Sequence, residues 1–264
     1  MGKKRIDLLL VQSGYADSRS QAQRLVMAGK VRVDGELVHK PSVSFQPGVD
    51  IQIEAGPRFV SRGGDKLLAA IGYFDLSIHG RYCADVGAST GGFSDCLLQH
   101  GAARVYAIDV GKGILHWRLR QDERVVVMEA TNARYLDELP EPVSLVTIDA
   151  SFISLRILLP VILKWFGDRQ GQIVALIKPQ FEAGRSQAAR GKGVIRDPKI
   201  HASVLSSVLQ FAQNTGYEIA GLMRSPLLGP KGNTEFFTLL RFPFHDQNNI
   251  TELITSVLPD LEER

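Results

Sequence analysis

The chain has 264 residues, 44% of them hydrophobic and 8% aromatic, enough apolar mass for one sizeable core and a second small domain. Its most apolar stretch, LRILLPVILKWF, is broken by Arg156, Pro160 and Lys164, and the basic-then-apolar start is broken by Asp7 and Gln12, so neither a membrane span nor a secretion signal is expected. The net charge of +3 is N-terminal: residues 1–60 hold nine Lys or Arg against six Asp or Glu, and the other 204 residues hold 22 of each, which points to a basic face for a polyanion.

In chain order, RIDLLLVQS (residues 5–13) predicts a short helix ended by Gly14. A second helix starts at Ser18, whose spacing to Gln21 is that of a capping box, and Gly29 closes it. Ala22, Leu25 and Val26 form its apolar stripe, and Arg19, Gln23 and Arg24, followed by Lys30, lie on its exposed side. Short strands are expected at KVRV, ELVHK, SVSF and VDIQIE, with turns at Asp34-Gly35 and Pro47-Gly48. Over nearly its whole length, RIDLLLVQSGYADSRSQAQRLVMAGKVRVDGELVHKPSVSF resembles the S4 RNA-binding domain. The resemblance implies an RNA-binding unit over residues 1–58, with Arg5, Arg19, Ser20, Gln23, Arg24, Lys30 and Arg32 contacting phosphates and shape rather than sequence.

The mixture AGPRFVSRGG contains a predicted linker, residues 59–64, and the second domain is expected over 65–244, with a C-terminal helix or tail at 245–264. From residue 81, the apolar runs RYCADVG, RVYAIDVG, RVVVMEA, VSLVTIDA and GQIVALIKP alternate with helical patterns, which predicts a mostly parallel α/β sheet covered on both faces. The last runs, YEIAGLMRSPL and TEFFTLLRF, are joined by a loop too short for a crossover helix and should pair antiparallel. A seven-stranded sheet of this kind is the arrangement of class I (Rossmann-like) methyltransferases. Cys83 and Cys96 make neither a metal cluster nor a disulfide framework; both read as packing residues suited to a reducing cytoplasm, and no metal is expected.

The stretch DVGASTGGFSD (residues 85–95) fits neither a P-loop, which needs a lysine after its last glycine, nor a G-x-G-x-x-G dinucleotide turn. What remains is an acid at a strand end, a turn of small residues, and Gly91 and Gly92 opening a helix, suited to a ligand approached closely by backbone but lacking a diphosphate. Asp109 ends the next strand, where a carboxylate can accept bonds from two ribose hydroxyls, and Asn132 ends the one after, where it can meet an adenine edge or merely cap a turn. With Asp85 and the backbone of Gly87, Gly91 and Gly92 facing an amino-acid tail, S-adenosylmethionine is the cofactor that fits. Ala88, Ser89, Phe93, Val110 and Asp149 complete the expected cofactor set.

Residues 60–242 resemble the FtsJ-like methyltransferases, and the whole chain resembles the TlyA family, which joins an S4 domain to that fold and carries both haemolysin and ribosomal RNA 2′-O-methyltransferase labels. The resemblance implies a catalytic set of Lys66 in SRGGDKLL, Asp149 in TIDASF, Lys178 in ALIKPQFEAGR and Glu235 in GNTEFF, with ribosomal RNA or a ribosomal subunit as partner. A ribose hydroxyl is a weak nucleophile, so these groups would help remove its proton; two lysines held close together would disfavour each other's charge, and Lys178 is the expected proton acceptor. Lys178 and Asp149 follow apolar strands, whereas the role of Lys66 rests on the family match. Residues 180–197, with Arg185, Arg190, Lys192 and Arg196, form a long segment that either closes over RNA or is a surface loop. A base methyltransferase is disfavoured because DASF stands where a double-proline motif would serve exocyclic amines and no Pro-Cys motif is present; a lytic protein would need a secretion signal and an amphipathic or spanning segment, neither of which is visible, and a non-catalytic RNA-binding protein would not need the four residues intact.

Overall fold

The computed structural model describes residues 2–54, 56–184, 193–244, 246 and 248–258. The chain divides into two compact units, Met1–Arg58 and Phe59–Arg264.

In the first unit, β1 (Lys4–Arg5) leads into α1 (Ile6–Gln12) and α2 (Arg19–Met27), followed by β2 (Val31–Val33), β3 (Glu36–Leu37), β4 (Ser44–Phe45) and β5 (Ile51–Ile53). Ser18 Oγ accepts from the Gln21 amide at 3.3 Å, and Gln21 Oε1 in return accepts from the Asp17 amide at 2.9 Å, so the expected capping box closes one residue early. Residues four apart, Ile6 with Leu10 and Ala22 with Val26, turn one face of each helix onto Val31 and Val33 and form the core. Asp34 and Gly35, both at positive φ, turn β2 back onto β3. Arg5 lies in a strand paired with Ser44, not in the first helix, because the two-residue β1 is defined only by its distant partner.

The second unit opens with α3 (Gly63–Tyr73) and then alternates: β6 (Tyr82–Val86), α4 (Gly92–Gln99), β7 (Arg104–Ile108), α5 (Trp117–Arg120), β8 (Val125–Met128), β9 (Leu145–Ile148), α6 (Leu155–Ile162), β10 (Gly171–Ile177), α7 (Pro179–Glu182), α8 (Pro198–Asn214), β11 (Glu218–Arg224), β12 (Phe236–Phe242) and α9 (Ile250–Val257). The seven strands lie in the order β11-β12-β10-β9-β6-β7-β8. All pairings are parallel except those of β12, which is inserted antiparallel between β10 and β11. The strand order reverses beside β6, the place where an open α/β sheet leaves a crevice beyond its C-terminal strand ends. Two apolar cores result, one containing Tyr106, Ile148, Trp165 and Phe236 and the other Phe59, Leu97, Val105 and Phe237.

Residues 59–64, expected as a linker, belong to this second unit. Phe59 is buried in its core and the Val60 amide donates to Asp95 Oδ2 at 2.8 Å. A Gly, Pro and Arg composition gave no sign of that burial. In the C-terminal segment, Ile254, Val257 and Leu258 join the core, so α9 is packed. Part of the 180–197 segment is α7, started by Pro179 at its first position. Arg185, Arg190, Gly191 and Lys192 lie outside the described residues.

Candidate active site

The glycine turn leaves β6 and enters α4 with Gly87 and Gly91 at φ of 82° and 97°, values that disfavour any side chain. At Gly87 a Cβ would come within 2.8 Å of the Asp149 carbonyl, so the turn runs tightly over the end of β9 and stays open on its other side. Asp109, ending β7, accepts from the amides of Ser89 at 2.8 Å and Gly111 at 2.7 Å and so ties the turn to the following loop. A cleft of about 540 Å³ lies here, with Ile108, Ile114, Ala133 and Ile157 among its apolar walls and Asp109 and Asn132 among its polar groups. Asn132 Oδ1 accepts from the Arg134 amide and caps a short 3₁₀ turn, the plainer of its two expected roles. Val110, at the mouth, is largely exposed.

Asp85 does not face the cleft. Its side chain is fully buried beneath the turn and accepts from Ser94 Oγ at 2.7 Å and Thr147 Oγ1 at 3.1 Å. Burial pushes its carboxyl up to about 7, against the lowering effect of the two hydroxyls. Gly91 lines neither cleft; the side chains of Leu115 and Leu119 cover it. Phe93 is a core residue packed against Phe237 that shows an edge to the neighbouring cleft.

That second cleft, of about 270 Å³, shares Gly87, Ser89 and Asp149 with the first and also touches Ala88 and Gly92. It gathers all four residues of the expected catalytic set, which come from α3, the ends of β9 and β10, and the loop entering β12. Lys66 Nζ donates to Glu235 Oε2 at 2.6 Å, and the Glu235 side chain is fully buried. Lys178 Nζ lies 2.7 Å from Asp149 Oδ1, held there by charge rather than by a well-directed hydrogen bond. Gln180 Nε2 reaches Glu235 Oε1 at 3.5 Å, linking the segment after Lys178 to the other ion pair. Each lysine thus has its own carboxylate.

Sequence reasoning missed Glu129. Its carboxylate accepts from the amides of Gly113, Ile114 and Leu115 at 2.7, 3.0 and 3.0 Å and pairs with Arg120, and these bonds, Arg120 foremost, hold its pKa down to about 2. It thereby fixes the loop that supplies Ile114 to the larger cleft. Phe152, 90% exposed at the rim with φ of 63°, was also missed; it packs on Phe181 with ring centroids 4.8 Å apart.

In the first unit the expected RNA-contacting residues fall into two groups. Arg5, Arg19 and Gln23 converge on the buried Asp7: Arg5 donates twice, at 3.1 and 2.9 Å, Arg19 at 3.0 Å and Gln23 at 2.9 Å. These bonds, led by Arg5, hold the Asp7 carboxyl well below the usual range. Both arginines stay partly exposed, 39% and 53%. Arg24 donates to Ser20, Arg32 pairs with Glu54, and Lys30 leads into β2.

A seven-stranded sheet with one antiparallel strand, a glycine turn beneath two joined clefts and an acid at the end of the second strand define a class I methyltransferase fold. The chain belongs to the FtsJ-like methyltransferase family, whose model matches residues 59–242, and an S4 domain matches residues 4–51. It is 46% identical over 243 residues to the 16S/23S rRNA (cytidine-2′-O)-methyltransferase TlyA of Mycobacterium tuberculosis, covering 90% of each chain. It is 39% identical over 238 residues to hemolysin A of Brachyspira hyodysenteriae, covering 88% of this chain and 97% of that one. A solved structure from Streptococcus thermophilus that carries the hemolysin name superposes with a TM-score of 0.72 at 42% identity, over 100% of this chain and 98% of that one. Among the described residues no helix is long and apolar enough to cross a membrane.

Proposed function

We propose that the chain is an S-adenosylmethionine-dependent 2′-O-methyltransferase of ribosomal RNA, acting on a cytidine ribose. The observation that carries this reading is the junction of the clefts: two lysine–carboxylate pairs occupy one, and the wall formed by Gly87, Ser89 and Asp149 opens onto the other. The larger cleft fits the cofactor, since it has the usual size of a small-molecule site, roughly 300–1,000 Å³, apolar walls, and a strand-end carboxylate whose remaining lone pairs can take ribose hydroxyls. When bound, S-adenosylmethionine supplies a methyl group already activated by its sulfonium. The relative from M. tuberculosis, named for cytidine 2′-O-methylation of 16S and 23S rRNA, supports the substrate class.

In this reading Asp109 holds the cofactor ribose, Asn132 presents its free amide nitrogen to the adenine edge, and the bare backbone of the glycine turn admits the amino-acid tail. Asp85 shapes the turn from below and touches nothing in the cleft. Lys66 and Glu235 seat the acceptor ribose, and Lys178 Nζ takes the proton of the 2′-hydroxyl, after which Asp149 balances the ammonium. Arg5, Arg19, Ser20, Gln23, Arg24, Lys30 and Arg32 present the S4 unit to RNA. Incubation with methyl-labelled S-adenosylmethionine and separated ribosomal subunits tests the proposal. Label should enter rRNA at a linkage resistant to alkali, because a 2′-O-methyl group removes the internal nucleophile; label confined to alkali-sensitive linkages would contradict it.

A further inference from the structure

The side chain of Lys178 ends in three N–H donors, and the fold surrounds it with three acceptors. Asp149 Oδ1 lies at 2.7 Å, Ser151 Oγ at 3.0 Å and the Asp149 carbonyl at 3.4 Å. Asp149 belongs to the catalytic set; Ser151 is a new partner. Lys178 lines the acceptor cleft, whereas Ser151 lines the cofactor cleft, so the Ser151 hydroxyl meets Nζ across the wall that joins them. As a neutral amine, Nζ keeps two N–H donors beside its one lone pair, so an acceptor can hold it in either protonation state. Of the three acceptors, Ser151 Oγ makes the shortest well-directed hydrogen bond.

We propose that Ser151 is a positioning residue for methyl transfer: its hydroxyl keeps Lys178 Nζ aimed into the acceptor cleft in both protonation states. This rests on the reading of Lys178 as the group that takes the 2′-hydroxyl proton. Before transfer, Ser151 Oγ accepts one N–H of the neutral Nζ, so that the nitrogen's lone pair stays free for the 2′-hydroxyl proton. As the ribose O–H bond breaks and the new N–H bond forms on that lone pair, Ser151 Oγ goes on accepting from the ammonium. Ser151 gains and loses no proton overall. Because Ser151 is exposed, replacing it opens no buried cavity.

The test uses full-length protein, S-adenosylmethionine and ribosomal subunits that accept the methyl group, and compares Ser151→Val with Ser151→Thr, which match in shape and differ in the hydroxyl. The Val variant should lose about 10- to 100-fold in kcat, the range for a lost hydrogen bond to a charged group. KM for the subunit should stay at its wild-type value, any change in cofactor Kd by calorimetry should be the same in Val and Thr, and the Thr variant should keep kcat within about threefold. In a Lys178→Ala background, Ser151→Val should cost nothing further, because both act through one nitrogen. Equal losses in Val and Thr would mean that shape matters and not the hydroxyl, and would overturn the proposal. Wild-type kcat in Val, with Lys178→Ala inactive, would overturn it while leaving the proposed function standing. Full activity in Lys178→Ala itself would overturn both.

Discussion

Lys178 is 8% exposed at its side chain and meets three acceptors, so its removal bears on chemistry more than on packing. Lys178→Ala should lower kcat by roughly 10² to 10⁴, the range for losing a positioned acid or base, with cofactor binding by calorimetry unchanged. Lys178→Arg should not restore it, because a guanidinium does not accept a proton at working pH. Near-normal turnover in the Arg variant would assign Lys178 to charge alone. Asp85 makes a different prediction at the same scale. Its carboxyl is raised by burial to about 7 in the folded state, so between about pH 4 and about pH 7 the folded chain binds the proton that the unfolded chain releases. Stability should therefore fall as pH rises through that window and level off above it. Asp85→Asn should flatten this part of the Tm-against-pH curve; an unchanged slope would contradict the assignment. That Lys66, Asp149, Lys178 and Glu235 belong together was legible in the sequence through the family pattern, and the pairing Lys66–Glu235, 169 residues apart, was not. Asp85 misled for the same reason: a strand-end acid beside a glycine turn looks ligand-facing until Ser94 and Thr147 are folded against it.

At the scale of elements, the strands of the sheet were legible because continuous apolar runs of this length, bounded by turn residues, suit a strand buried on both faces. Short elements were not. The two residues of β1 exist through pairing with β4, and α7 is one turn started by Pro179 inside an expected loop. Bonds that shape a loop from a distance are equally silent in sequence, and Glu129 shows the consequence. It stands one residue beyond β8 and reads as a surface acid, yet it holds three successive amides 14 to 16 residues earlier in the chain. Glu129→Ala should free the loop bearing Ile114 and raise the cofactor KM about tenfold while kcat at saturation is kept, as expected when uniform binding is lost. Since its carboxyl stays ionised down to about pH 2, this hold should not vary with pH in any working range. Equal falls in kcat and kcat/KM would place Glu129 in the chemistry instead.

On the scale of the whole molecule, the charge asymmetry read from composition coincides with the boundary between the two units, since the excess lies within residues 1–60 and the first unit ends at Arg58. Composition did not reveal that Asp7 organises much of that charge. Arg5 and Arg19 owe their orientation to it, whereas Arg24 and Lys30 do not bond to it. Replacing Arg24 and Lys30 together by Ala should weaken RNA binding and reduce the slope of log K against log salt by about 0.7 to 0.9 for each phosphate no longer neutralised, with kcat on saturating RNA retained. An unchanged slope would remove these two residues from the RNA face. Whether the two lysine–carboxylate pairs direct a methyl group to a ribose oxygen of ribosomal RNA is decided by the product itself, read by nucleoside mass spectrometry. Ribosomal RNA treated with the protein and S-adenosylmethionine is digested to nucleosides and compared with untreated RNA. New 2′-O-methylcytidine is expected, identified by a fragment in which the added mass stays on the sugar; added mass on the base fragment would contradict the assignment.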